Sequence, residues 1–405
     1  MSNRILIVSN GALCRNPRVH KEAGALAAAG FDVTVLTVRN HAPSEPIDRQ
    51  LLKDASYRRV CVDLLPGFAT PAAIVLFRRL HLKVARDFAR RIGRGSIHAL
   101  GPARVLLSAA KKQPADLTIV HNEIAHWAGT RLIDAGRRVA ADIEDWHSED
   151  LLPADRRGRP LALLKEVERT LLRRANYVST TSDSLAEELH AAHGGRRPHS
   201  IANAFALGPA RAMDALRPEP PAFFWFSQVV GPGRGLEAFT AAWARTCLPS
   251  RLVLLGEEHR ETVAGLRAML PPSHREKFSV RGLELPSKLP SAIAEHDIGL
   301  ALEDATIRSR DLTITNKILQ YLNAGLFVLA TPTRGQREVL DQAPAAGGFL
   351  DLDDLSSSAR QLDSLLADRA GLAAGQLAAR RLAESRYCWE REAPRLVSLV
   401  QQSLR

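Results

Sequence analysis

Ile5-Leu6-Ile7-Val8 is apolar on both of the faces a strand would present, and so is most of Val33-Thr34-Val35-Leu36-Thr37-Val38. Between them lies a helix-length stretch from Pro17 to Ala29 that ends at Gly30. A strand that is apolar on both faces must be covered on both, and strand, helix, strand in about 35 residues is a βαβ unit with parallel strands. The pattern recurs. Leu117–Val120 ends at His121-Asn122 and is followed by a helical stretch to Ala135, then by a short strand from Val139 toward Asp142. Tyr177–Thr181 is a further strand ahead of a helix from Ser184 to His190.

The alternation breaks between Gly208 and Pro221, a stretch rich in Pro and Ala, and then restarts. Strands are expected at Phe223–Ser227, Arg251–Leu255, Phe278–Val280, Ile298–Leu302 and Phe327–Ala330, with helices at Leu236–Ala244 and Asn316–Asn323. The chain therefore reads as α/β, with two Rossmann-like domains: residues 1–207, residues 208–385, and a last helix within 386–405. That helix, about Trp389 to Leu404, carries Leu396, Val397, Leu399, Val400 and Leu404 at helical spacing. Ligands of such sheets bind outside the carboxyl ends of the strands, so a cleft between the domains is the expected active site.

At 405 residues and 45% apolar composition the chain can bury two cores and is not a disordered polymer. Cys14, Cys61, Cys247 and Cys388 are scattered without metal-ligand spacing, which points to free thiols in a reducing compartment. No apolar run reaches the roughly 18 residues of a membrane span, so a cytoplasmic protein is expected. The net charge of +11 is uneven. Residues 1–200 hold 31 Lys and Arg against 21 Asp and Glu, whereas residues 201–405 hold 24 against 23. A basic half beside a neutral one suggests different partners for each.

Five segments together resemble the family 4 type of GT-B glycosyltransferases. They are Asn16-Pro17-Arg18-Val19 with Ala29-Gly30-Phe31-Asp32-Val33; Tyr177–Ser182 with Ile201-Ala202-Asn203-Ala204; Gly231–Glu237; Thr315–Thr331; and Tyr387-Cys388-Trp389-Glu390. Their order and spacing cover most of the chain. The resemblance implies a C-terminal domain that binds a nucleotide-sugar donor, an N-terminal domain that binds a saccharide or lipid-linked acceptor, and a last helix that packs back on the N-terminal domain. It implies no metal or other cofactor, and a role in cell-envelope polysaccharide synthesis.

The candidate donor residues follow from chemistry. Gly231, Gly233, Arg234 and Gly235 lie between a strand and a helix, where backbone N–H groups and a guanidinium can hold phosphate. Asn316 and Lys317 open another helix, and a cation there is unfavourable for the helix dipole unless an anion joins it. Gln320, one turn on, can accept from a ribose hydroxyl. The resembling family has a glutamate there, the second of a pair whose first member falls on Leu312 in this chain. Glu284 is a candidate contact to the nucleobase. Each of these also reads plainly as a turn or a solvated surface group.

In the first domain, Asp142, Glu144, Asp145 and His147 crowd one strand end beside Trp146, and His121 ends the neighbouring strand. An inverting enzyme needs a base for the acceptor hydroxyl, and Asp145, Glu144, His147 and His121 are the candidates. A retaining enzyme can use the leaving phosphate, and the sequence leaves the stereochemistry open. Asn10, Gly11, Arg18 and Asn122 are expected to face the acceptor. The helix from Phe77 to Arg94 alternates Phe77, Leu80, Val84, Phe88 and Ile92 with seven Lys and Arg. Either it docks on the anionic inner face of the cytoplasmic membrane, or its apolar stripe packs on its own sheet. Two other readings stay open: an inactive GT-B partner subunit, and a nucleic-acid binder, the latter opposed by the lack of a nucleic-acid motif. No nucleic-acid partner is expected.

Overall fold

A computed structural model describes residues 3–210 and 219–405. The chain divides into two compact units, Met1–Ile201 with Ala393–Arg405, and Ala202–Glu392. The division falls at 201/202 instead of 207/208, because Asn203 to Gly208 bond to unit 2: Asn203 to Asn316, and the Gly208 N–H to the Asn323 side chain. Residues 211–218 of the expected linker lie outside the described residues.

In unit 1, seven parallel strands run in the order β3-β2-β1-β4-β5-β6-β7. They are β1 Arg4–Val8, β2 Asp32–Arg39, β3 Arg58–Asp63, β4 Leu117–His121, β5 Val139–Ile143, β6 Val178–Thr180 and β7 His199–Ser200. Ile5 to Val8 are all buried, as their two-faced apolar pattern requires. Four helices of this unit carry or support residues of the candidate site: α1 Pro17–Ala28, α2 Ala72–Ile92, α3 Glu123–Asp134 and α4 Leu161–Arg174. Asn16 caps α1, its side chain accepting from the Val19 N–H, and Pro17 sits in the first turn, where no N–H is needed.

Unit 2 repeats the plan with six parallel strands in the order β10-β9-β8-β11-β12-β13. They are β8 Ala222–Val230, β9 Arg251–Glu258, β10 Phe278–Arg281, β11 Ile298–Ala301, β12 Phe327–Ala330 and β13 Gly347–Phe349. Its relevant helices are α5 Leu236–Trp243 and α6 Asn316–Ala324. Both units are thus Rossmann-like, and in each the strand order reverses next to the first strand, between β1 and β4 and between β8 and β11. A crevice opens at the carboxyl ends of two strands whose connections depart in opposite directions.

The last helix, α7 Trp389–Leu404, begins in unit 2 and belongs to unit 1 from Ala393 on. Val400 is fully buried among Ile5, Ile7, Val19 and Val35, and Arg138 donates to the Leu404 carbonyl at 2.9 Å. Strand β3 escapes the sequence pattern because Arg58 and Arg59 interrupt its apolar run. It is an edge strand, where only one neighbour must be satisfied and charged residues are tolerated.

Candidate active site

The crevice of unit 1 is built around a buried ion cluster. Arg18 on α1 donates from Nε and Nη2 to both Asp142 oxygens, at 2.6 and 2.7 Å, and from Nη1 to the Ile201 carbonyl at 2.8 Å. Ser179 donates to Asp142 at 2.6 Å. His121 lies between Glu22, 2.6 Å from Nε2, and Asp142, 3.2 Å from Nδ1. Burial opposes charge on Asp142, but Arg18 and His121 outweigh it and hold the carboxyl well below its usual range. Burial likewise opposes charge on His121, yet Glu22 and Asp142 push its pKa up to about 10.

Two expectations are corrected here. Arg18 does not face an open acceptor site: it is 3% exposed and its guanidinium is spent on Asp142 and Ile201. His121 is not a base, because a base needs a free lone pair and this ring stays protonated between two carboxylates. His147 is a poor base for a related reason. Burial opposes its charge, but Asp150, 3.6 Å away, and Glu123 raise its pKa to about 9.

Glu144 differs. Burial, then the charges of Asp145 and Asp142, push its carboxyl up to about 7, where it can hold or release a proton near neutrality. Asp145 beside it is exposed. Trp146 and Ser148 anchor this turn by donating to Glu168 on α4, at 3.2 and 2.8 Å. Lys21 is a group that the sequence did not single out. Burial and the neighbouring Arg18 lower its pKa to about 7, with Glu144 acting the other way.

Glu123, His147 and Asp150 bring three ligand-type atoms within 4.8 Å of one another. Arg159 already pairs with Glu123 there.

Asn10, Gly11 and Asn122 sit at the β1/β4 reversal. The Asn122 side-chain Oδ1 accepts from Ser9 Oγ at 2.8 Å and from the Asn10 N–H at 3.3 Å. Among the described residues Asn122 alone is a non-glycine with positive φ, at 67°. Such backbone persists only where surrounding bonds over-determine it.

In unit 2 the turn Gly231–Gly235 leaves β8 at the other reversal. Gly233 and Gly235 have φ of 71° and 72°. A Cβ on Gly235 would lie 3.1 Å from the Leu302 Cβ, so glycine is needed for both conformation and space. Arg234 is half-buried and in no ion pair among the described residues. Lys317, in the first turn of α6, donates to Glu303 at 2.7 Å. Glu303 follows β11 and is pinned by reciprocal bonds with Thr331, both 2.8 Å. The turn and Lys317 therefore converge at Leu302-Glu303. Asn316 accepts from Asn203 at 2.9 Å. Gln320, three residues on in α6, is half-buried and lines a cavity of about 30 Å³ with Phe205, Pro290 and Ile293. Leu312, the other position of the resembling family's acid pair, is buried. Glu284 is exposed in the loop after β10.

Two parallel-sheet units with sites at their reversal points define the GT-B class. Residues 16–204 match the family described as glycosyl transferase 4-like domain. Solved structures of the same fold include sucrose-phosphate synthase from Thermosynechococcus elongatus, with 16% identity and TM-score 0.72 over 99% of this chain and 98% of that one. Anabaena HepE in complex with UDP and glucose shares 15% identity with TM-score 0.69, over 98% and 99%. A TarM variant from S. aureus in complex with fondaparinux, α-GlcNAc-glycerol and UDP shares 9% with TM-score 0.68, over 98% and 99%. No curated protein matches the chain by sequence. The chain therefore has the GT-B fold, and its residues 16–204 are similar to the glycosyl transferase 4-like domain.

The ion cluster sets a pH dependence for the stability of unit 1. The Asp142 pKa is depressed on folding, so its contribution is present above about pH 4 and lost as pH falls below it. The His121 pKa is raised, so its contribution is complete below about pH 6.5 and drains as pH climbs toward 10. Thermal unfolding is expected to show the midpoint falling across that alkaline range, and His121→Gln to flatten the fall. Asp142→Asn strands Arg18 and is expected to cost about 3–5 kcal/mol in a urea titration.

Proposed function

We propose that the protein transfers a sugar from a uridine-diphosphate sugar to a saccharide or lipid-linked acceptor in cell-envelope polysaccharide synthesis, without a metal ion. The carrying observation is the glycine turn of unit 2, with Arg234, in no ion pair among the described residues, at the start of α5 and convergence on Lys317. Neighbours of the same fold support the donor class: HepE is recorded with UDP-glucose, and a trehalose-6-phosphate protein from E. coli with UDP-2-fluoro glucose. In this reading the turn's N–H groups, Arg234 and Lys317 hold the diphosphate and stabilise it as the leaving group. An incoming phosphate draws Lys317 from Glu303, whose carboxylate then accepts from donor-sugar hydroxyls. Glu284 lies two strands from the glycine turn, about 10 Å at normal strand spacing, and meets the base. Asn10, Gly11 and Asn122 position the acceptor, and Glu144 takes its proton.

The same reading places the enzyme at the inner face of the cytoplasmic membrane. No helix among the described residues is long and apolar enough to cross a bilayer. Helix α2 instead packs inward through Val75, Leu82 and Ala89 and leaves its other apolar residues outside, with Phe77 70% and Phe88 60% exposed. The alternative of a stripe packed on its own sheet does not describe this helix. Arg91 and Arg94, exposed beside the stripe, suit an anionic lipid surface.

Three outcomes are expected. In calorimetric titration, Arg234→Ala weakens UDP binding ten- to a hundredfold, the effect of losing one or two charge-assisted bonds; unchanged affinity would remove the clamp. Turnover rises with pH through about 7 as Glu144 ionises. Glu144→Gln loses that limb and about 10²–10⁴-fold in kcat, while full activity in the variant would point to the retaining route. Phe77→Ser with Phe88→Ser weakens cosedimentation with anionic vesicles and leaves a salt-sensitive remainder, at roughly 1 kcal/mol per basic residue near the surface. Equal binding to neutral vesicles would count against the membrane site.

A further inference from the structure

Helix α2 has a third face. Successive residues turn by about 100°, so Val75, Leu82 and Ala89 form the buried side, and Phe77, Leu80, Val84 and Phe88 form the opposite one. Arg79, Lys83, Arg86 and Arg90 fall between these two stripes, spaced by three and four residues along one row. That row lines a pocket of about 560 Å³, whose other walls include Asn10 after β1 and Asn40 after β2. The pocket thus sits at the carboxyl ends of the strands, and its cationic wall borders the exposed apolar stripe.

The charge in this row is uncompensated. Among the described residues Arg79, Lys83 and Arg90 enter no ion pair, and Arg86 donates only to the Ala99 carbonyl, at 3.1 Å. Asp87 is the single acid in the lining. Like charges three and four residues apart on a helix repel one another, and a concave wall of one sign focuses its field on whatever enters. An uncharged saccharide can accept hydrogen bonds from such a wall but offsets none of its repulsion. A phosphoryl anion offsets the repulsion and takes several charge-assisted hydrogen bonds.

We propose that this pocket binds the phosphoryl or diphosphoryl group of an acceptor whose lipid tail lies along the apolar stripe of α2. The inference rests on the transferase reading and narrows its acceptor to an anionic, lipid-borne one. The volume suits a diphosphate with one or two sugar rings. Asn10, shared between the pocket and the β1/β4 reversal, joins the anchored end of the acceptor to the end that reacts.

The test uses the full chain in a neutral detergent, so that no anionic headgroup competes. Farnesyl diphosphate and farnesol are the probes, with binding followed by calorimetry. The wild-type protein is expected to bind farnesyl diphosphate at least tenfold more tightly than farnesol. Arg79→Gln with Arg90→Gln should erase that preference. Lys111→Gln with Lys112→Gln, which removes the same charge at the far end of the helix Ala103–Lys112, should keep it. All four side chains are exposed, so folding is preserved in both variants, and far-UV circular dichroism checks it. Equal affinity for the two probes, or an equal loss in both double variants, overturns the proposal. UDP titration separates the two levels of argument. Retained UDP binding with no diphosphate preference defeats the pocket alone, whereas lost UDP binding in the wild type defeats the donor reading.

Discussion

The two-pronged bond between Arg18 and Asp142 is the joint on which unit 1 is assembled. One guanidinium ties α1 to the end of β5 and, through the Ile201 carbonyl, to the last residue of the unit's first segment. Asp142 in turn gathers Ser179 from β6 and His121 from β4. Four elements therefore meet at one buried carboxylate. A buried pair of this kind contributes little net stability against an apolar replacement, but breaking one side leaves a naked charge in the interior. Its larger effect is on its neighbours. Burial, then the positive charge of Arg18, pushes the Lys21 ammonium toward neutrality, and burial, then Asp145, holds a proton on Glu144 against the opposing pull of Arg18.

The two units solve the same problem with different materials. At the β8 reversal, glycines give the backbone its left-handed turns at little cost. At the β1 reversal, an asparagine adopts a comparable φ, and the strain is held by the bonds its side chain makes to Ser9 and Asn10. The first arrangement suits contact with many oxygens of a phosphate chain. The second fixes a few polar groups in one geometry, as selection of a particular hydroxyl demands.

Much of the architecture was legible in local patterns. The βαβ period located β1, β2, β4 and β8, and the spacing of Leu396, Val400 and Leu404 gave the last helix. Strand β3 was invisible because two arginines break its run, and β7 and β13 because two or three residues carry no period. The site was less legible. His121 looks like a base from its position at a strand end, and only the approach of Glu22, 99 residues away, shows it to be a fixed cation. Helical spacing put Gln320 near Lys317, but gave no sign that Phe205 and Pro209 share a cavity with it. The perturbed ionisation of Lys21 has no sequence signal, since burial and charge come from elements distant in the chain. The exposed stripe of α2 was foreseen as one of two outcomes, because periodicity shows that a helix is amphipathic but not which medium meets each face.

The passage of α7 from one unit to the other sets an order on biosynthesis. Residues 393–405 complete the core of unit 1, yet they leave the ribosome only after the whole of unit 2. Domains that are contiguous in sequence can fold as they emerge. Here the first two hundred residues must wait with the seat of Val400 unfilled, exposing Ile5, Ile7 and Val35 on one side of the sheet. At 5–20 residues per second that interval lasts roughly ten to forty seconds. The core of the N-terminal unit is thus complete only when the last helix arrives.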